Sequence, residues 1–287
     1  MNRIVLAPME GLADDVLRAV LTRAGGYDWC VTEFVRVTDS VLPHRVYLRL
    51  SPELANGAHT AAGTPVRIQL MGNDPTLLAA NAAHLARLHP FGIDLNFGCP
   101  TPLVNRHRGG AALLAEPELL HRIAAAVRGA VPAEMPVTAK MRLGIDDTSK
   151  AIACAMALEA GGVDELVVHA RTRADGYQPI RRWDWVARIR AAVRLPLIAN
   201  GEVWTVADWH AIRAASGCDD VMLGRGAVAD PLLARRIRGE AGEHPTDDDW
   251  REIEAMIGEF WGRVQRKVLP GQSPGRLKQW QIGRAHV

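Results

Sequence analysis

Over most of the chain, short runs of apolar and β-branched residues alternate with longer stretches in which apolar positions recur every three or four residues. That alternation belongs to a parallel sheet whose crossovers are helices. Eight strand-like runs are predicted, at 4–9, 30–35, 65–71, 92–98, 136–142, 165–170, 196–201 and 220–225. Helices are predicted over 75–89, where Leu77, Leu78, Ala82, Leu85 and Leu88 share a face, and over 116–128 and 184–193. Eight β-α units imply an α/β fold closed as a (β/α)₈ TIM barrel, because that strand number leaves an interior side chains just fill.

Two regions depart from the repeat. After the second run, Leu42-Pro43-His44, Ser51-Pro52-Glu53, Asn56-Gly57 and Ala62-Gly63 break the pattern and predict an insertion or long loop. Beyond Gly239 the barrel pattern stops, and Thr246 reads as the N-cap of a helix over 247–268 with acidic residues in its first turn. We therefore expect a barrel over 1–240 and a helical region over 245–281. With only one long helix evident and a further helical pattern merely begun at 275–280, that region looks truncated. The stretch 282–287 is expected to be a non-native tail.

Composition narrows the class. Of 287 residues, 48% are hydrophobic and 23% charged, and no apolar run reaches the roughly 20 residues of a spanning helix, so a soluble protein without a membrane partner is expected. The N-terminus enters a strand-like run at once, which implies a cytoplasmic address. Cys30, Cys99, Cys154 and Cys218 lack metal-ligand spacing, so no metal is expected. A net charge of +2 is too mild to name a partner. The stretch from Phe260 onward nevertheless carries Arg263, Arg266, Lys267, Arg276, Lys278 and Arg284 without an Asp or Glu. A polyanion fits there, as does an ordinary solvated helix face.

Barrel active sites lie at the C-terminal ends of the strands. Polar groups gather at seven of those ends: Pro8 and Met9, Gln69, Asn96 with Cys99, Lys140 with Arg142, His169 with Arg171, Asn200-Gly201-Glu202, and Gly224-Arg225. The last two resemble phosphate loops, where glycine lets backbone approach an anion and Arg225 adds a charged fork, although glycines also simply turn a chain. A desolvated Lys140 needs an anionic or electron-rich partner, such as a flavin ring or a neighbouring carboxylate. His169 reads as a packed histidine, a general acid or an anion-facing donor. Cys99, in Asn96-Phe97-Gly98-Cys99-Pro100, is expected to be exposed at the barrel mouth on a loop stiffened by Pro100 and Pro102. It serves as a thiol acid or a thiolate nucleophile; His107 is the nearby candidate base, and the acid role is preferred. Cys30, Cys154 and Cys218 read as small core residues.

These stretches together resemble the tRNA-dihydrouridine synthases, over the whole barrel and into the tail. The matches are Leu6-Ala7-Pro8-Met9-Glu10-Gly11, Thr32-Glu33-Phe34, Val66-Arg67-Ile68-Gln69-Leu70, Asp94 through Pro100, Lys140-Met141-Arg142-Leu143-Gly144, His169-Ala170-Arg171-Thr172, Asn200-Gly201-Glu202 and Gly224-Arg225-Gly226. Thr32 through Val37 and Arg276-Leu277-Lys278-Gln279-Trp280 look most like the bacterial C-type branch, which acts on uridine 16 of the tRNA D-loop. The resemblance implies that Pro8, Met9, Gln69, Lys140, His169, Asn200, Gly201, Glu202, Gly224 and Arg225 bind FMN. It implies NADPH, or NADH, as reductant, and hydride transfer from flavin N5 to uracil C6 with Cys99 protonating C5. Arg36, Asn96, Arg276 and Lys278 would contact tRNA, and a monomer is expected. The sequence departs from the family after the cysteine, where Arg106-His107-Arg108 replaces a pattern of Lys and small residues. Two other readings remain: another FMN barrel of the dihydroorotate-dehydrogenase kind, and a non-catalytic RNA-binding factor.

Overall fold

The computed structural model describes residues 2–106, 108–176 and 178–285, with side chains described as far as Trp280. Eight parallel strands close in sequence order: β1 Ile4–Leu6, β2 Trp29–Arg36, β3 Val66–Met71, β4 Ile93–Phe97, β5 Val137–Gly144, β6 Glu165–Thr172, β7 Leu197–Asn200 and β8 Asp220–Leu223. β1 pairs with both β2 and β8, so no sheet edge remains. Every predicted run is a strand, with ends shifted by a few residues.

Helices cover the outside: α1 Asp15–Ala24, α2 His44–Leu50, α3 Pro75–Ala86, α4 Pro102–Arg106, α5 Pro117–Ala130, α6 Ala151–Ala160, α7 Trp183–Ala192, α8 Val206–Ser216, α9 Arg225–Ala229 and α10 Leu233–Arg238. Their starts follow from local chemistry. Asp74 caps α3 by accepting the Leu77 N–H at 2.8 Å, with Pro75 in the first turn. Thr205 and Asp208 form a reciprocal capping box on α8. The irregular region after β2 holds α2 and a 3₁₀ turn, Pro52–Asn56. It is pinned to α1 by a fully buried Arg18, whose Nε and Nη2 donate to the two Glu53 oxygens at 3.0 Å each.

Alternate residues face the barrel interior. Val5, Ala7, Trp29, Val31, Val167, Ile198 and Met222 form an apolar cluster of their own there, on β1, β2, β6, β7 and β8 or just beyond them. The facing side of the interior is polar, with Gln69, Asp94 and Thr138 adjacent across the ladder. The N-terminal end is closed by charge: Glu165 takes Arg67 at 2.7 Å and Arg3 at 2.6 Å, and Arg67 lies 4.3 Å above the Trp29 ring.

Thr246 caps α11 Asp247–Lys267 through a capping box with Asp249, as the sequence predicts. A second helix, α12 Ser273–Ala285, follows. Sequence pattern gave only its beginning, because its single buried aromatic, Trp280, offers no repeating stripe. α11 packs on α1 and α12 on α9. The backbone of residues 282–285 continues α12, while the last two residues of the expected tail, His286 and Val287, lie outside the described residues, as does His107.

Candidate active site

The C-terminal strand ends surround a cavity of about 320 Å³, within the range of small-molecule sites. Residues from or just after all eight strands line it, among them Pro8, Met9, Gln69, Asn96, Cys99, Lys140, His169, Asn200, Gly201, Glu202, Gly224 and Arg225. The register explains the convergence: Asn96 is level with Lys140, and Arg142, His169, Asn200 and Met222 are consecutive neighbours around the ring.

The floor near β3 to β5 is a hydrogen-bonded chain. Buried Asp94 accepts from Thr138 Oγ1 at 2.6 Å and from Gln69 Nε2 at 2.7 Å. Gln69 Oε1 accepts from Asn96 Nδ2 at 2.7 Å, and Asn96 Oδ1 accepts the backbone N–H groups of Gly98 at 3.0 Å and Cys99 at 2.9 Å. Each amide orientation is thereby fixed by its neighbour, and the loop carrying Cys99 is tied to the barrel floor.

Cations dominate the far wall. Burial and the adjacent Arg142 charge, against a weaker pull from Asp94, bring Lys140 down to about 7. His169 is pushed well below its ordinary value, first by burial and then by Arg142, Lys140, Arg171 and Arg225. Its imidazole is therefore neutral at neutral pH. Both shifts show that no carboxylate lies close enough to Lys140 or His169 to offset burial and the neighbouring cations.

Beside them, Glu202 sits in the left-handed region at φ +57°. Its Oε1 accepts from Arg225 Nη2 at 2.9 Å and pairs with buried Arg171 at 2.5 Å, while Oε2 accepts from the Trp204 indole at 3.2 Å. Arg225 also lies 5.1 Å from the Trp204 ring centroid. The backbone here is packed too closely for side chains. A Cβ on Gly226 would fall 2.0 Å from the Val203 carbonyl oxygen, and one on Gly201, already at φ +122°, would fall 3.0 Å from the His169 ring. Glycine is required at both turns, and the two turns bring backbone to the cavity wall.

Cys99 is not exposed as expected: it is 7% accessible. Met71, Val104 and Phe34 pack on it, because Pro102 starts the short helix α4 instead of holding an open loop. Its sulfur still lines the cavity, 3.1 Å from Thr101 Oγ1 and 3.7 Å from Glu10 Oε2. Burial pushes the thiol up, hydrogen bonds from Thr101 lower it, and Glu10 raises it. Cys30, Cys154 and Cys218 are buried, as expected of core residues.

All ten residues expected around a cofactor line the cavity, with Asn96 and Cys99. Asn96 spends its amide on Gln69 and the Cys99 loop. Arg36, Arg276 and Lys278 do not reach the cavity. Arg276 donates to the Gly11 carbonyl at 2.6 Å and pairs with Asp14 at 2.8 Å. Arg171 does not itself line the cavity; it is held by Glu202 and by the Gly176 and Ile180 carbonyls. Glu10, Glu33, Thr101 and Trp204 line the cavity without having been singled out. Glu33 was detectable as the one carboxylate within β2. Its carboxyl is raised chiefly by burial, against a backbone N–H donated by Gly11. Among the described residues no His, Cys, Asp and Glu cluster could hold a metal ion, and no helix is long and apolar enough to cross a membrane.

Fold and site thus define a TIM-barrel enzyme working at the C-terminal mouth of its strands. Residues 5–268 match the family described as dihydrouridine synthase (Dus), and the chain belongs to that family of flavin-dependent oxidoreductases. It is similar to the tRNA-dihydrouridine(16) synthase of Ralstonia nicotianae, with 60% identity over 280 residues covering 98% of this chain and 86% of the relative. The enzyme of that name from Shewanella oneidensis is 44% identical over 278 residues, covering 97% of this chain and 87% of the relative. Among solved structures, an old yellow enzyme homologue from Zymomonas mobilis aligns with a TM-score of 0.56 at 13% identity, covering 86% and 92% of the two chains. Histamine dehydrogenase from Rhizobium sp. 4-9 aligns with a TM-score of 0.60 at 13% identity, over 83% of this chain and 46% of that one. These two share the fold.

Proposed function

We propose that the chain is a tRNA-dihydrouridine synthase that binds FMN in the strand-end cavity and reduces the 5,6 double bond of uridine 16 in the tRNA D-loop. The observation that carries this reading is the meeting of a buried thiol, Cys99, with Lys140, Arg142, Arg225 and a neutral His169 inside one cavity. The residues fit the cofactor. Lys140, brought down to about 7 by burial without an adequate anion, suits the anionic edge of a reduced isoalloxazine. Arg225 and the turns at Gly201 and Gly224-Arg225-Gly226 suit its phosphate. Glu202, already bound by two arginines, acts by aiming Arg225. Pro8, Met9, Gln69 and Asn200 complete the walls.

When bound, reduced FMN would supply the hydride chemistry toward uracil C6, with NADPH or NADH as its reductant. Cys99 breaks its S–H bond and delivers the proton to C5, keeping the electron pair as thiolate. Asn96 holds the backbone beneath that thiol, and neutral His169 donates without adding net charge. The uridine has to leave its stack to enter the cavity. We assign RNA contact to Arg36, Asn96 and Lys278, with the barrel over 1–240 and the helical region over 245–281 sharing the tRNA. The protein is read as cytoplasmic, metal-free and monomeric.

The test is incubation of FMN-loaded protein with NADPH and unmodified tRNA, followed by mapping of dihydrouridine. Product at position 16 is expected, and product at another D-loop position would refute the assignment. Cys99→Ala is expected to lose product by about two to four orders of magnitude, the usual worth of a positioned acid, while NADPH still bleaches the flavin at the normal rate.

A further inference from the structure

The loop between β1 and α1 places a carboxylate against the reacting thiol. Glu10 Oε2 lies 3.7 Å from Cys99 Sγ, across 89 residues of sequence. No other carboxylate is recorded as a hydrogen-bond partner of the sulfur among the described residues; its second partner is the neutral Thr101 hydroxyl at 3.1 Å. The loop is held in place rather than loose. Gly11 N–H donates to Glu33, and Arg276 reaches the Gly11 and Leu12 carbonyls from α12. The other titratable or charged groups facing the cavity are Glu33 from β2, Lys140 and Arg142 from β5, neutral His169 from β6, and Glu202 and Arg225 beyond β7 and β8. Arg142 is turned to the Gly98 and Thr172 carbonyls.

We propose that Glu10 is a positioning residue for Cys99: its carboxylate accepts the S–H hydrogen bond and disfavours the thiolate, holding Cys99 as an acid and restraining it as a nucleophile. This deepens the reading of Cys99 given above and rests on it. An unperturbed thiol is already mostly protonated at neutral pH. The gain is therefore not in protonation at rest. It lies in suppressing thiolate-dependent side reactions, such as addition to an electrophile or oxidation. After each proton transfer the same carboxylate favours recovery of a proton from solvent, which closes the cycle with no further reactant.

The experiment follows alkylation of the FMN-loaded protein by iodoacetamide between pH 6 and 10 in the wild type, Glu10→Gln and Glu10→Asp, with Cys99→Ala as the blank for the buried thiols Cys30, Cys154 and Cys218. Removing the negative charge is expected to move the alkylation midpoint downward, so that Glu10→Gln reacts at least about threefold faster at pH 7, half a unit being roughly a factor of three in thiolate. Glu10→Asp is expected to fall between. Superimposable alkylation profiles for wild type and Glu10→Gln would overturn the proposal, and a raised KM for tRNA with unchanged alkylation would instead assign Glu10 to substrate. Because alkylation needs no turnover, this result stands apart from that of the dihydrouridine assay, whose failure alone would strike at the assigned function. Flavin absorbance and melting temperature, expected to be unchanged for this exposed side chain, confirm that the variants fold.

Discussion

Lys140 and His169 are driven toward their neutral forms by burial and by the cations around them, so both penalise the folded state when protonated. The direction of the pH dependence follows. Between about 7, where folded Lys140 titrates, and its ordinary value near 10.4, the unfolded chain binds more protons than the folded one, and stability rises with pH. Below about 6.5, the ordinary value for histidine, His169 adds a loss of stability with falling pH. The cofactor-free protein should therefore melt higher at pH 8.5 than at pH 6, and Lys140→Met should flatten the part of that rise above pH 7. The window ends near pH 9, because Cys30 and Cys154, both pushed up to about 12 by burial, favour the unfolded state once free thiols ionise. FMN should flatten the same slope by giving Lys140 an anion; an unchanged slope on saturation would show that the ring lies elsewhere. Gly226 presents the steric counterpart: with a Cβ only 2.0 Å from the Val203 carbonyl, Gly226→Ala should abolish FMN retention through gel filtration while leaving helix content intact.

The elements themselves were largely legible in the chain. The eight strands were visible because parallel strands covered on both faces are nearly continuous apolar runs, and the start of α11 because Thr246 and its acidic first turn satisfy orphan N–H groups. Others were legible only in part or not at all, α4 and α12 among them. α4 hides in a Pro-flanked stretch of five residues, too short for periodicity. α12 depends on tertiary contact, which no local pattern reports: Trp280 is buried against Phe260, ring centroids 4.7 Å apart and near perpendicular, and its indole N–H donates to the Val228 carbonyl at 3.1 Å. Trp280→Ala should therefore cost about 3–5 kcal/mol in the docking of α12, the usual range for a buried Trp. Hydrogen exchange is expected to rise through α12 and its partner α9, with the strands still protected. Equal protection in α12 would mean that contacts other than Trp280 hold the helix.

At the scale of the whole molecule, the site was legible as a set of strand ends but not as a network, since Glu10 and Glu33 acquire their partners only when distant segments meet. The basic tail shows the same limit from the opposite side. Read along the sequence it is a uniform cationic stretch; in the structure several of its charges are already paired. Arg263 pairs with Glu259 at 2.8 Å, Lys267 reaches Asp14 and Asp15, and Arg276 holds Asp14 and the carbonyls beside Glu10. Arg266 and Lys278 are exposed and have no ion pair recorded among the described residues. Two arginines or lysines of one tail should thus respond differently. Lys278→Ala should weaken tRNA binding and reduce the slope of log K against log salt by about 0.7–0.9, one phosphate contact. Arg276→Ala should leave that slope unchanged and instead slow the flavin-to-uridine step and speed Cys99 alkylation, because the loop that presents Glu10 loses its brace. A salt titration of tRNA binding for the two variants separates these effects, and a lowered slope in Arg276→Ala would show that Arg276 leaves Asp14 to meet the RNA.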